Sequence, residues 1–105
     1  MVYKTMNSKE FKELMAKDNG KHLAIFTAQW CGFSKKLKGE LETVPVEFEV
    51  VDVDVTDEED CCWDDYALKV VPTAIVFSGG KEVARKKAGF FGLKIQDLSE
   101  LDGKV

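Results

Sequence analysis

The 105 residues predict an α/β domain of three layers, a mixed sheet with helices on both faces. Three observations carry that expectation. The apolar runs Leu23 to Phe26 and Ala74 to Phe77 have almost no polar alternation, as in strands covered on both sides. Amphipathic stretches at helical spacing separate the early strands, and Ser78-Gly79-Gly80-Lys81 turns the last two strands into a hairpin. The resulting order is strand, helix, strand, helix, strand, helix, strand, strand, helix, with parallel crossovers first and the hairpin last.

The elements follow in turn. Val2 to Thr5 reads as a short first strand. Asn7 or Ser8 offers a helix cap, and Asn7 with Glu10 three residues on resembles a capping box. Phe11, Leu14 and Met15 then form the apolar stripe of a helix that Asp18-Asn19-Gly20 ends. Leu23 to Phe26 is the expected central strand. Lys35 to Leu41 is helical, with Phe33, Leu37 and Leu41 on one side; Gly39 in its middle is unfavourable by about 1 kcal/mol relative to Ala and marks a candidate bend. Thr43-Val44-Pro45 closes it.

Val46 to Val55 alternates and then turns apolar, as a strand entering the sheet interior does, and the acids at its end are expected in solvent. Thr56 reads as the next N-cap, with Asp57, Glu58, Glu59 and Asp60 in a first turn where the dipole favours negative charge. In that helix Cys62, Tyr66 and Lys69 share one row and Cys61, Asp65 and Leu68 another, so at least one thiol should face the sheet. Glu82 to Lys87 alternates as an edge strand whose lysines discourage pairing with other chains. Ala88-Gly89-Phe90-Phe91-Gly92 is a junction, and Leu93, Ile95, Leu98 and Leu101 mark a final amphipathic helix.

Composition narrows the function classes. With 45% hydrophobic and 32% charged residues, the expectation is a single domain over 1–105 that buries a core without disulfides or metals. A net charge of -4 and the lack of a basic stripe interleaved with aromatics argue against nucleic acid as a partner. No run approaches the roughly 20 apolar residues that span a bilayer, so no membrane partner is expected. The N-terminal residues lack the apolar core of a signal peptide, and three cysteines, two of them adjacent, make no disulfide framework. Both point to a reducing cytoplasm, with a monomer expected.

The stretch with chemistry in it is Ala28-Gln29-Trp30-Cys31-Gly32-Phe33-Ser34-Lys35-Lys36, which leaves the central strand and opens a lysine-rich helix. A cysteine at the first turn of a helix sits where unpaired N–H groups and the positive end of the dipole favour its thiolate, the nucleophilic form. An ordinary buried cysteine would not account for a Trp-Cys-Gly at a strand-to-helix junction.

Trp30-Cys31-Gly32, Val71-Pro72-Thr73 before an apolar strand, the Ser78-Gly79-Gly80 hairpin, Gly89 and the order of elements together resemble the thioredoxin family over nearly the whole length. The resemblance implies the thioredoxin fold and a thiol:disulfide oxidoreductase acting on disulfide-containing proteins, recharged by a thioredoxin reductase or another thiol reductant. It also implies that Cys31 is the attacking cysteine, that Pro72 is a cis-proline facing it, and that the backbone of Val71 pairs with an extended substrate segment. Trp30, Gly32, Phe33 and Gly89 would form the surrounding substrate surface. No cofactor is implied.

Three positions depart from the family pattern. Ser34 stands where the second cysteine of Cys-x-x-Cys is usual, so the thiol that releases the substrate is missing and turnover should be impaired. Ile25 occupies the place of the usual buried aspartate and Val50 that of its lysine, which removes the internal proton acceptor. Phe33 replaces the commonest proline, which should alter the redox potential. Ser34 has three open explanations: an engineered Cys-to-Ser trap, a natural monothiol enzyme using external thiols, or kinship with monothiol glutaredoxins. Those proteins share the motif Cys31-Gly32-Phe33-Ser34 and bind a [2Fe-2S] cluster with glutathione. Against the last, Trp30 is a thioredoxin feature, no lysine sits just upstream, and Gly89-Phe90-Phe91-Gly92-Leu93 lacks the expected Gly-Gly-x-Asp. A non-catalytic interaction module is the remaining alternative, and would show an unreactive Cys31.

Cys61 and Cys62 read either as plain helix residues beside Trp63 or, by resemblance to animal thioredoxins with extra thiols in the corresponding helix, as regulatory thiols. With His22 the single histidine, no zinc pattern exists.

Overall fold

A computed structural model describes residues 3–44 and 48–103. In chain order the elements are β1 (Tyr3–Met6), α1 (Ser8–Lys17), β2 (Lys21–Thr27), α2 (Gly32–Thr43), β3 (Val50–Asp54), α3 (Cys61–Asp65), β4 (Thr73–Ser78), β5 (Lys81–Lys87) and α4 (Ile95–Gly103). This is the expected succession. The sheet order is β1-β3-β2-β4-β5, with β3 parallel to β1 and β2, and β4 antiparallel to β2 and β5. β2 is therefore the central strand, and its near-continuous apolar sequence follows from burial on both faces.

Strand alternation divides the core in two. Ala24, Phe26, Val53, Ile75 and Phe77 point to one side, where Phe11 of α1 and Cys62 of α3 cover them. Leu23, Ile25, Val50, Ala74 and Val76 point to the other, against Leu37 and Leu41 of α2 and Leu98 and Leu101 of α4. Phe11 is fully buried, edge-on to Phe26 and Phe77 at centroid distances of 5.6 and 5.3 Å. Burial of such a ring is worth about 2–3 kcal/mol.

Local signals set the boundaries. The Asn7–Glu10 capping box is complete: the Glu10 N–H donates to the Asn7 side chain at 2.8 Å and the Asn7 N–H to the Glu10 carboxylate at 3.0 Å. Gly79 and Gly80 have φ of 62° and 77°, the two left-handed positions that a two-residue hairpin turn requires. α2 runs unbroken through Gly39, and the Val44 N–H caps it on the Glu40 carbonyl. Val2 and the segment Pro45-Val46-Glu47 lie outside the described residues.

Three expectations are corrected. β3 begins at Val50, after Phe48 and Glu49, rather than at Val46. Thr56 is not an N-cap: its N–H and hydroxyl both donate to Asp54, at 2.8 and 2.5 Å, and the Glu59 N–H donates to Asp57. These local side-chain bonds compete with helix. The helix starts one turn later with Asp60 as its cap and ends before Lys69, which therefore shares no helical row with Cys62. Finally, Asp52 is not solvated but fully buried.

Candidate active site

Cys31 is the N-cap residue of α2, with extended backbone at φ -99° and ψ 117°. A turn after β2 delivers it there, closed by the Cys31 N–H on the Ala28 carbonyl at 3.1 Å. Its side chain is half-buried, and the Sγ–H donates to the Val71 carbonyl at 3.4 Å. The peptide bond between Val71 and Pro72 is cis, and both residues are buried. The thiol thus lies between the first turn of α2 and the segment entering β4, two places some forty residues apart in the chain.

Ser34, one turn into α2, is completely buried, and its hydroxyl accepts the Ala28 N–H at 3.3 Å. The position holds the loop rather than facing solvent. Phe33 is exposed but leans on Gly92: a Cβ there would lie 2.7 Å from the Phe33 ring, and φ is 84°. Gly92 in turn exchanges backbone hydrogen bonds with Gly89 at 3.1 Å, while the Ala88 N–H donates to the Pro72 carbonyl at 2.9 Å. The Gly89–Gly92 junction is thereby tied both to Phe33 and to Pro72.

Trp30 is 54% exposed, yet held in place. Its indole N–H donates to the Thr56 carbonyl at 2.8 Å, and its ring stacks on Trp63 with an interplanar angle of 9°. Trp63 in turn donates to the carbonyls of Val55 and Asp57. Below them Asp54 collects Thr56 and the Gln29 side chain, and the Gln29 N–H donates to the Thr56 hydroxyl. Burial raises the Asp54 pKa, but the hydrogen bonds from Thr56 and Gln29 outweigh it and hold the carboxyl below its ordinary range. Sequence reasoning missed Asp54, Thr56 and Trp63 as supports of this loop. The signal available was the Asp-x-Thr spacing, which favours a local side-chain-to-backbone turn.

Ile25 and Val50 are apolar and buried, in keeping with their side chains. A buried carboxylate with a half-buried lysine partner nevertheless lies beneath α2. Asp52, opposite Ile25 in the β2–β3 register, accepts the hydroxyls of Thr27 at 2.5 Å and Thr5 at 2.9 Å, and Lys38 of α2 places its Nζ 3.5 Å away. Asp52 shares the period-two face of Val50, which was the legible sign that it points inward.

Cys61 is exposed and Cys62 buried, so one thiol does face the sheet, and all three cysteines are free. Burial, with the nearby Asp60 carboxylate second, pushes the Cys62 thiol up to about 12. Asp60, Cys61 and Cys62 bring one oxygen and two sulfurs within 4.8 Å of one another. The Asp60 oxygens are already engaged, accepting the Cys62 N–H and the Ser8 hydroxyl, so the group reads as a helix cap. Lys12 pairs with Asp65 beside it.

A family model described as Thioredoxin matches residues 2–97. The chain belongs to the thioredoxin family. It is 32% identical to a thioredoxin of Chlamydia caviae over 98 residues, 91% of this chain and 90% of that protein. It is 36% identical over 86 residues, 76% of the chain, to a Schizosaccharomyces pombe protein whose name assigns it provisionally to the protein disulfide-isomerases; the match spans only 17% of that longer protein. Among solved structures, Fasciola hepatica thioredoxin superposes with a TM-score of 0.72 at 25% identity, covering 96% of this chain and 97% of that one. The thioredoxin fold, and with it membership of a family of redox proteins, is thereby established. Among the described residues, no helix is long and apolar enough to cross a membrane.

Proposed function

We propose that this thioredoxin-family protein attacks protein disulfides through Cys31 and is released by an external thiol, because Ser34 supplies no resolving sulfur. The observation that carries the reading is the placement of the Cys31 thiol at the N-terminus of α2, half-exposed and 3.4 Å from the Val71 carbonyl beside Pro72. In the first step the Cys31 thiolate bonds to one substrate sulfur and the substrate disulfide breaks; its other sulfur leaves as a thiolate and takes a proton. The product is a mixed disulfide on Cys31. In the second step a reductant thiolate attacks that bond, restores Cys31 and carries the substrate half away as a disulfide with itself. Trp30, Gly32, Phe33, Val71, Pro72 and Gly89 form the surface on which the substrate lies.

The buried hydroxyl of Ser34 cannot perform the second step, so the form with Ser34 accumulates the mixed disulfide wherever external thiol is scarce. The reading gives the protein no resident cofactor, a monomeric working state and a reducing compartment, the cytoplasm, as its place of action. The experiment is stoichiometric reduction of a disulfide-bonded protein such as insulin. The native chain should release one substrate thiol per Cys31, and Cys31→Ser should release none. Equal release by both would overturn the assignment of Cys31.

A further inference from the structure

A groove of about 650 Å³, lined by Val70 and Thr73 on either side of Val71 and Pro72, runs between the connection from α3 to β4, where Lys69 also lies, and the edge strand β5. Gly89 lines it as well. A volume of this size holds a small ligand or a few residues of an extended chain. Backbone contacts tie it to the thiol: Thr73 pairs with Lys87 in the β4–β5 register, the next residue, Ala88, donates to the Pro72 carbonyl at 2.9 Å, and the preceding Val71 carbonyl accepts the Cys31 thiol.

The charge of the groove is opposite to that of the molecule. The chain carries a net charge of -4, yet among the described residues no carboxylate lines this groove, whereas Lys69, Lys86, Lys87 and Arg85 do. Arg85 is neutralised by Glu82, at 2.5 and 2.6 Å, and donates to the Tyr66 carbonyl. Among the described residues, no carboxylate forms an ion pair with Lys69, Lys86 or Lys87. Lys87 shares the strand face of Arg85 and so stands on the α3 side of the sheet, towards Lys69. Lys69 and Lys87, with no ion-pair partner among the described residues, lie beside exposed Val70 and make the groove a positively charged, partly apolar trough.

We propose that this groove seats an acidic segment of the substrate polypeptide next to its disulfide, with Lys69 and Lys87 facing its carboxylates. The proposal rests on the reading of Cys31 as the nucleophile and names the substrate class for it: disulfides flanked on one side by aspartate or glutamate. Opposite charge raises the encounter rate and fixes the direction in which the substrate lies, more than it raises final affinity.

The test uses three extended peptides that differ only in the residues flanking one cysteine, acidic, amide or basic, each activated as a pyridyl disulfide. The Cys31 thiolate bonds to the peptide sulfur and expels pyridinethiolate, whose absorbance gives the rate. At low salt the acidic peptide should react about tenfold faster than the amide peptide, and the basic one slower, with the spread shrinking as salt rises. In Lys69→Gln/Lys87→Gln the spread should collapse, while the amide peptide and a neutral aromatic disulfide react as before. Equal rates for the three peptides, or a spread that survives the double variant, would overturn the proposal while leaving the nucleophile intact. A second measurement does not depend on Cys31 chemistry: the acidic peptide with serine in place of its cysteine should shift the backbone amide resonances of Val70, Thr73, Lys87 and Gly89, and not do so in the double variant. Absence of those shifts would refute the groove even if Cys31 proved inert.

Discussion

Asp54 offers the sharpest perturbation of the loop that presents the thiol. Its carboxylate takes the Thr56 N–H at 2.8 Å, the Thr56 hydroxyl at 2.5 Å and the Gln29 side chain at 3.3 Å, and Thr56 then holds the indole of Trp30. Hydrogen bonds to a charged acceptor contribute about 1.5–3 kcal/mol each when water is excluded. Asp54 is only half-buried, so water recovers part of the loss, and Asp54→Ala should cost about 2 kcal/mol at pH 7. Asp54→Asn keeps an oxygen for Thr56 and should cost about 1 kcal/mol. The assay is urea unfolding followed by tryptophan fluorescence, in which the alanine variant should lose about 1 M in midpoint.

The pH dependence fixes the cause. Because the folded carboxyl titrates below its ordinary range, its contribution is present in full above the unfolded value of about 3.9 and is lost as pH falls through the lower folded value. The native chain and Asp54→Asn should therefore keep their gap down to the unfolded value and converge in stability only as pH falls through the lower folded one. A gap still unchanged below that lower value, or an alanine variant as stable as the native chain, would show that Asp54 does not hold this loop through its charge.

Two further outcomes follow from the same geometry. Ser34→Cys places a thiol one turn from Cys31 and should let the oxidised protein form an internal disulfide, read by intact mass, and turn over with dithiol. Its stability should fall by about 1 kcal/mol, because a thiol is a weaker acceptor for the Ala28 N–H than the hydroxyl it replaces. Cys62, pushed up to about 12 mainly by burial, should be alkylated at pH 8 on the order of a thousandfold more slowly in the folded protein than in urea, where an ordinary thiol titrates near about 8.5. Since the unfolded thiol ionises first, this group's contribution to stability is whole below that value and declines as pH rises towards its folded value; a Cys62 that labels at the unfolded rate would contradict its burial.

The fold was legible because its signals are local and mutually consistent. The Asn7 capping box, the alternation of the strands and the Gly79-Gly80 turn each depend on residues close together in sequence, and β2 advertised its central place by being apolar on both faces. The failures lie where two local rules compete or where the partners are distant in sequence. Thr56 has the chemistry of a helix cap, but Asp54 two residues earlier captures it first, and the helix waits for Asp60. Asp52 looked like one of a run of surface acids, whereas its two hydroxyl partners and Lys38 come from β1, β2 and α2, pairings that only the assembled sheet reveals. At the site, the junction of β2 and α2 could be read from Trp30-Cys31-Gly32, and the approach of Val71 followed from family likeness. The stacking of Trp30 on Trp63 and the seating of Phe33 on Gly92 could not, since each joins segments with no sequence pattern in common.

Whether Cys31 is a nucleophile with no internal resolver is decided by intact mass spectrometry of the reduced protein mixed with a small aromatic disulfide, following the adduct over time and mapping its position. One persistent adduct is expected, on Cys31, and it should disappear only when external thiol is added. Prompt loss of the adduct with an internal disulfide to Cys61 or Cys62, or no adduct on Cys31 at all, would contradict that role for Cys31.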